Sequence, residues 1–171
     1  ILLSTYPEVT DYIKEIVLMG GSTGRGNVIP LAEFNIYCDP EAAQVVFNSG
    51  LPLTMIGLDL AREAMFSHDF VKSFKNQNET GHMLHDLFQH YRSEDFEYVV
   101  KIYDVFTILY LLQPQAFNVK EADVQIELAG QYTKGATVVD FESHYPNCTV
   151  VLSPVDKGYE DLFLDALNYC K

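Results

Sequence analysis

Positive charge is scarce in this chain. Against 24 Asp and Glu there are 11 Lys and Arg, a formal net charge of −13. Nucleic acid is therefore not an expected partner, because holding phosphates takes clustered cations. Cysteine is also scarce: Cys38, Cys148 and Cys170 make an odd number with no C-x-x-C spacing. This argues against a zinc site and for free thiols in a reducing compartment, so a cytoplasmic protein is expected. No apolar run approaches the roughly 20 residues of a membrane helix. No strand–G-x-S-x-G–helix element occurs, so a serine hydrolase is not supported. Gly20-Gly21-Ser22-Thr23-Gly24-Arg25-Gly26 is out of register with G-x-G-x-x-G, and no Lys-Ser/Thr follows it as in a P-loop. No internal repeat, low-complexity linker or signal-peptide pattern is seen in these residues.

What is present fits an α/β domain. The length of 171 residues suits one domain with a useful core, and 48% hydrophobic residues rule out wholesale disorder. Ile16-Val17-Leu18-Met19 is apolar at every position and ends in Gly20-Gly21, as a strand covered on both faces reads. A short helix over Glu8–Lys14 leads into it. Asp39 is a good N-cap and Pro40 a good first helical residue for a helix running to about Asn48 and stopping at Gly50. Leu53 to Leu58 is the next buried strand, with Asp59 at its end. A short helix over Ala61–Phe66 follows, then an amphipathic helix from Phe70 to about Ser93, broken around Asn76–Gly81. Val105–Leu112 is an apolar helix. Val124–Leu128 alternates as a half-exposed strand, Gly130 and Gly135 bracket a hairpin turn, and Ala136–Phe141 returns. Thr149–Leu152 is a further strand, and Asp156–Cys170 an amphipathic closing helix. Strands alternating with helices predict an open, mostly parallel, mixed sheet flanked by helices.

The stretch with chemical content is Ile16–Asn35. Glycines after a strand let backbone approach a ligand, and ligands of open α/β sheets sit beyond the carboxyl ends of the strands. Asn27, Glu33 and Asn35 follow there. Amides that donate and accept, beside a carboxylate that only accepts, suit a polyhydroxylated ligand. The competing reading of the same residues is solvated turn chemistry.

M-G-G-S-x-x-x-G-N-x-x-P-x-A-E-F-N, followed by D-P-E-A-A and S-G-L-P-L-T-M-I-G-L-D-L, resembles the inosine–uridine type nucleoside hydrolases, which cleave the N-glycosidic bond of ribonucleosides. The resemblance continues, more weakly, to the C-terminus. It implies a Rossmann-like nucleoside hydrolase core, incomplete here: residues 1–171 match the C-terminal portion of a single such domain. The start at Ile1-Leu2-Leu3, an uncapped apolar helix end, points the same way, so a fragment of a longer protein is expected. The family's N-terminal aspartate cluster and its water-activating aspartate have no match in this chain.

Carried over residue by residue, the resemblance places Asn27 and Glu33 on the outer sugar hydroxyl and Asn35 on the inner ones. Met19 would line the sugar, and Asp104 would be one ligand of a calcium ion, Ca2+. The competing reading of Asp104 is a cap for the helix that begins at Val105. Tyr103 departs from the family, where many members carry a histidine that protonates the leaving base. Tyrosine, with an ordinary pKa of about 10, is a weaker donor at neutral pH. Three readings stand open: Tyr103 contacts the leaving group; stacking or another group activates it; or activity is reduced or retuned. Phe88 and Tyr91 are candidates for stacking on the base, in a region that is mobile in the family. His82, His85 and His90 read equally as surface pairs with Asp86 and Gln89, and His144 as a turn residue. Asp59 has no assigned role.

The expected function is thus calcium-dependent hydrolysis of ribonucleosides to ribose and free base, as part of a longer chain. This chain alone would be inactive, and a homo-oligomer, dimer or tetramer, is expected. The alternative is a non-catalytic fragment or degenerate relative that only binds ribose or nucleoside, or only assembles. An exposed sheet edge is expected in either case.

Overall fold

The computed structural model describes residues 1–90 and 99–171. In chain order its elements are α1 (Leu2–Thr5), a 3-10 turn (Pro7–Tyr12), β1 (Ile16–Met19), α2 (Phe34–Cys38), α3 (Pro40–Phe47), β2 (Leu53–Ile56), α4 (Leu58–Glu63) and β3 (Met65–Ser67). Then come α5 (His68–Phe74), α6 (Glu79–His90), β4 (Val99–Lys101), α7 (Val105–Leu112), a 3-10 turn (Pro114–Ala116), β5 (Phe117–Ile126), β6 (Thr137–Asp140), β7 (Cys148–Pro154) and α8 (Gly158–Asn168). The chain divides into two compact units, Ile1–Leu60 with Phe117–Ser153, and Ala61–Ala116 with Pro154–Lys171.

The first unit is built on a five-stranded open sheet of order β1-β2-β7-β5-β6. β1 and β2 run parallel, with Ile16 beside Leu53 and Met19 beside Ile56. β2 and β7 are parallel as well, with Met55 beside Val150. β5 and β6 form an antiparallel hairpin, Val124 opposite Val139, so the sheet is mixed. β2 is buried at all of its positions, the signature of a strand with helices or loops over both faces. β1, predicted to be covered in the same way, is half-buried throughout, because it ends the sheet and has one strand neighbour among the described residues. The core of this unit joins Ile36 and Phe47, from helices α2 and α3, to Met55, Val124, Cys148 and Val150 of the sheet. α3 starts as predicted: the Asp39 carboxylate accepts the Ala42 N–H at 2.9 Å and Pro40 follows the cap.

The second unit carries a small antiparallel pair, β3 with β4, in which Phe66 lies opposite Val100. Its core is aromatic. Phe66 is fully buried, and its ring lies 4.7 Å from Phe70, 5.0 Å from Phe163 and 6.1 Å from Tyr159, edge-on to the first two and stacked on the third. Such pairs contribute about 0.5–1.5 kcal/mol each beyond their burial. The helix predicted over Ala61–Phe66 is corrected here: α4 begins earlier, at Leu58, and ends at Glu63, while Met65–Ser67 is extended. Ser67 then caps α5 by accepting the Phe70 N–H at 3.1 Å, which fixes its own backbone outside any helix. The predicted break between α5 and α6 is present. Asn78 makes it, its Oδ1 accepting the Gly81 N–H at 2.8 Å and its Nδ2 donating to the Leu167 carbonyl at 2.8 Å. The 3-10 turn replaces the helix predicted over Glu8–Lys14, and β5 starts seven residues before the predicted Val124, at Phe117.

Candidate functional site

The loop after β1 sits at the carboxyl edge of the parallel strands. Parallel pairing places its start beside the β2–α4 connection, where the Gly20 N–H donates to the Ile56 carbonyl at 3.0 Å and the Leu58 N–H to the Gly21 carbonyl at 3.0 Å. Two glycines make that approach possible. Gly21 has φ +77°, and a Cβ there would lie 2.7 Å from the Met55 sulfur; a Cβ on Gly57 would lie 2.7 Å from the Gly21 carbonyl oxygen. Either contact is closer than real Cβ atoms come, and a side chain at positive φ adds strain.

The polar residues singled out in this stretch are brought together by hydrogen bonds. Glu33 is only 3% exposed. Its Oε2 accepts the N–H groups of Gly21 (3.0 Å) and Ile36 (3.2 Å), and its Oε1 accepts that of Asn35 (2.9 Å). It is thus the N-cap of α2 and also the tie between that helix and the glycine loop. Asn27 Oδ1 accepts the Phe34 N–H at 2.8 Å. Asn35 Nδ2 donates to the Met19 carbonyl and reaches the Met19 sulfur, both at 3.2 Å. Met19, Asn27, Glu33 and Asn35 therefore form one connected cluster at the end of β1. Asn27 and Asn35 are exposed.

These bonds leave a definite set of valences. An amide nitrogen carries two donors and each carboxylate or amide oxygen two acceptor positions. Oε2 of Glu33 is filled by two N–H groups, while Oε1, with one, keeps a lone pair. Asn27 keeps its Nδ2 donors and Asn35 its Oδ1 acceptor among the described residues. Donors and acceptors side by side are what vicinal hydroxyls need, since each hydroxyl donates once and accepts up to twice.

Two further side chains, to which the amino-acid sequence gives no role in the site, hold the loop. The Asp59 carboxylate accepts both the N–H and the hydroxyl of Thr23, each at 2.8 Å. Thr137 Oγ1 accepts the Ser22 N–H at 3.0 Å and donates to the Ser22 carbonyl at 2.6 Å. These partners lie 36 and 115 residues apart, so no local spacing announces them. The one usable signal was the position of Asp59 at the end of a buried strand.

The second predicted region, Tyr103-Asp104, opens α7 within the second unit. Asp104 stands at the N-cap position with helical φ −67° and ψ −33°, and its side chain makes no cap hydrogen bond. Its carbonyl instead accepts the N–H and the hydroxyl of Thr107, at 3.0 and 2.7 Å. The capping alternative for the Asp104 carboxylate is therefore not realised. The exposed carboxylate offers the hard oxygen donors that calcium prefers, though it fills few of the roughly six to eight positions calcium takes. Among the described residues no three His, Cys, Asp or Glu side chains gather where a metal could sit. Tyr103 is half-buried.

Of the stacking candidates, Phe88 is half-buried with its ring 6.4 Å from Phe74, in the aromatic core. Tyr91 lies outside the described residues. Asp86 gathers the histidines of α6: His85 Nδ1 lies 3.0 Å from its Oδ1, His82 Nε2 3.3 Å from its Oδ2, and His90 Nδ1 2.7 Å from its carbonyl. Hydrogen bonding from His85, then the nearby charges of His82, His85 and Lys75, hold the Asp86 carboxyl below its ordinary value. No helix among the described residues is long and apolar enough to cross a membrane.

Comparison with known proteins bears on the family and the fold. The chain is 50% identical over 172 aligned residues to the non-specific ribonucleoside hydrolase RihC of Salmonella newport (strain SL254), covering 99% of this chain and 56% of that protein. The chain thus spans little more than half the length of the curated relatives it matches. Among solved structures, the purine-preferring ribonucleoside hydrolase from Gardnerella vaginalis superposes with a TM-score of 0.82 at 28% identity, over 97% of this chain and 54% of that one. The plant nucleoside hydrolase PpNRh1 gives a TM-score of 0.83 over 99% of this chain and 57% of that one; at 21% identity it bears on the fold alone. The sequence profile of the inosine-uridine preferring nucleoside hydrolases matches residues 1–160, and the chain belongs to that family.

Proposed function

We propose that this chain supplies the sugar-holding part of an enzyme that hydrolyses the N-glycosidic bond of ribonucleosides, giving ribose and free base. The observation that carries the reading is the connected cluster of Met19, Asn27, Glu33 and Asn35 at the carboxyl end of β1. Its open valences are those of a polyol receptor, and its side chains are already fixed by backbone partners. Family membership and the likeness to a non-specific ribonucleoside hydrolase support the same reading.

In this proposal the pentose lies against the Met19 end of β1. Asn27 donates to, and Glu33 Oε1 accepts from, the outer hydroxyl, while Asn35 Oδ1 accepts from an inner one. A site that hydrogen-bonds each hydroxyl rejects a deoxyribose, because its own polar groups are then left unpaired. Holding the ring before bond cleavage also removes orientational freedom from the barrier. The Asp104 carboxylate would hold a calcium ion as one of several ligands. Bound there, calcium would supply orientation and polarisation of a water and of sugar hydroxyls. The Tyr103 hydroxyl would face the leaving base as a hydrogen-bond donor rather than as a ready acid.

The test is turnover by the complete protein against a panel of purine and pyrimidine ribonucleosides, with and without a calcium chelator. Release of free base and ribose that stops on chelation is the expected result. Binding of ribonucleoside with no release of base would overturn the hydrolase reading in favour of a binding module. Turnover indifferent to the chelator would remove calcium.

A further inference from the structure

Three consecutive N–H groups of the glycine loop each donate to a side chain from a different element. Gly21 donates to Glu33 Oε2 at 3.0 Å, Ser22 to Thr137 Oγ1 at 3.0 Å and Thr23 to Asp59 Oδ2 at 2.8 Å. Successive N–H groups in such a loop form an anion-binding concavity when nothing of the protein fills it. Here the protein's own side chains fill it. The loop is a support, and its ligand-facing groups are the side chains it holds.

We propose that Asp59, acting through Thr23, is a positioning residue for the sugar clamp. The inference rests on the hydrolase reading given above and deepens it. Asp59 stands in the first turn of α4, where its two oxygens grip both polar groups of one loop residue. The Leu58 N–H beside it holds the Gly21 carbonyl, so the β2–α4 turn holds the loop at both ends of a three-residue span. Gly21 in turn supplies one of the three N–H groups that orient the Glu33 carboxylate. A shift of the loop moves that carboxylate, and with it Asn35, whose N–H sits on Oε1. Thr137 braces the same span from β6, against Ser22.

The chemistry separates geometry from charge. In Asp59→Asn the amide oxygen can accept the Thr23 N–H while the amide nitrogen donates to the Thr23 hydroxyl, so both contacts survive without the charge. In Asp59→Ala both are lost.

The experiment measures kcat/KM of the full-length protein for a ribonucleoside and for its analogue lacking the outer hydroxyl. Asp59→Ala should lower the value for the ribonucleoside by about 10²-fold, the scale of a misplaced binding group. It should lower that for the analogue much less, so the preference between the two shrinks by about tenfold or more. Asp59→Asn should stay within about threefold of wild type for both. Thr23→Val, at an exposed and isosteric position, should move the preference in the same direction by a smaller factor while leaving the fold intact. Equal losses for both substrates in Asp59→Ala, or an Asp59→Asn as damaged as Asp59→Ala, would overturn the inference and leave the hydrolase reading standing. If the wild type releases no base, that reading fails by itself, and the same variants are then compared by their Kd for D-ribose. Binding weakened about tenfold by Asp59→Ala and kept by Asp59→Asn supports the positioning role. Unchanged binding in Asp59→Ala, or a wild type that binds no ribose, overturns it.

Discussion

The glycine loop and the start of α7 use their carboxylates in opposite ways. Around the loop, Glu33 accepts three backbone N–H groups and Asp59 grips both polar groups of Thr23. At the start of α7, Asp104 makes no cap bond through its carboxylate, and the helix closes on the Asp104 carbonyl instead. An acid that holds up its surroundings is fixed before any ligand arrives, and it contributes to folding. An acid that caps nothing contributes little to folding and stays available to a cation. The groups proposed to hold the sugar are therefore fixed in advance by backbone partners, whereas among the described residues no group of three His, Cys, Asp or Glu that could hold a metal gathers at Asp104.

Breaking the loop's two functions apart gives the largest expected effects. Asn35 is exposed, and its side chain bonds only Met19 among the described residues. Asn35→Ala should cost the complete protein at least about 10²-fold in kcat/KM for ribonucleosides, with an unfolding midpoint close to wild type. Glu33→Ala should lose both. It strands N–H groups around a buried site, at about 1–3 kcal/mol for each left unpaired, so denaturant unfolding should show a loss of ~3 kcal/mol or more. A Glu33→Ala protein as stable as wild type would mean that its three bonds do not hold the loop. A near-wild-type rate for Asn35→Ala would remove Asn35 from the sugar.

Asp104→Ala sharpens the other half of the comparison. A residue that truly caps a helix costs about 1 kcal/mol when replaced by Ala. Asp104 makes no such bond, so the loss in stability should stay within ~0.5 kcal/mol, as for an ordinary surface position. Calcium affinity of the complete protein, followed by titration calorimetry, should fall clearly. Unchanged metal content would take Asp104 off the ligand set, and a loss of a full kcal/mol would show that its carboxylate caps α7 after all.

How much of this is legible in the amino-acid sequence follows the range of the interactions. β1, α7 and the Asp39-Pro40 start of α3 are readable because their signals are local: an apolar run ending in glycines, an apolar run ending before Pro114, a cap beside its helix. The mixed open sheet follows from the order of those pieces. The extended Met65–Ser67 is not readable, since three residues carry no period and the partner strand lies over thirty positions away, at Val99–Lys101. Within the site, the functional groups of Asn27, Glu33 and Asn35 suit hydroxyls but fit solvated turn chemistry as well, and only the family resemblance assigns them to a sugar. The burial of Glu33 and its role as a tie do not show, because two of its partners are adjacent helix N–H groups and the third is a glycine twelve residues away. The Thr23–Asp59 and Ser22–Thr137 contacts join residues far apart in sequence, which only the parallel register and the returning hairpin bring together.

Asp86 stands between the two extremes and offers the smallest test. Its carboxylate is partnered by imidazoles of its own helix rather than by backbone. The His85 hydrogen bond and the neighbouring positive charge hold its carboxyl below the ordinary value of 3.8. A carboxyl lowered in the folded state stabilises that state above its ordinary value, and the gain is lost as pH falls through the folded one. The contribution is therefore complete at neutral pH and disappears on the acid side of about pH 4. Because the group is exposed, solvent screens the pair and the effect should be slight. Asp86→Asn should make the acid limb of the stability profile shallower below that pH and leave the slope above it unchanged, as read from urea midpoints at successive pH values. An unaltered acid limb would show that the imidazole contacts contribute nothing to folding. Asp86 would then join Asp104 among the carboxylates that add little to the fold, in contrast to Glu33, whose three backbone N–H partners tie α2 to the glycine loop.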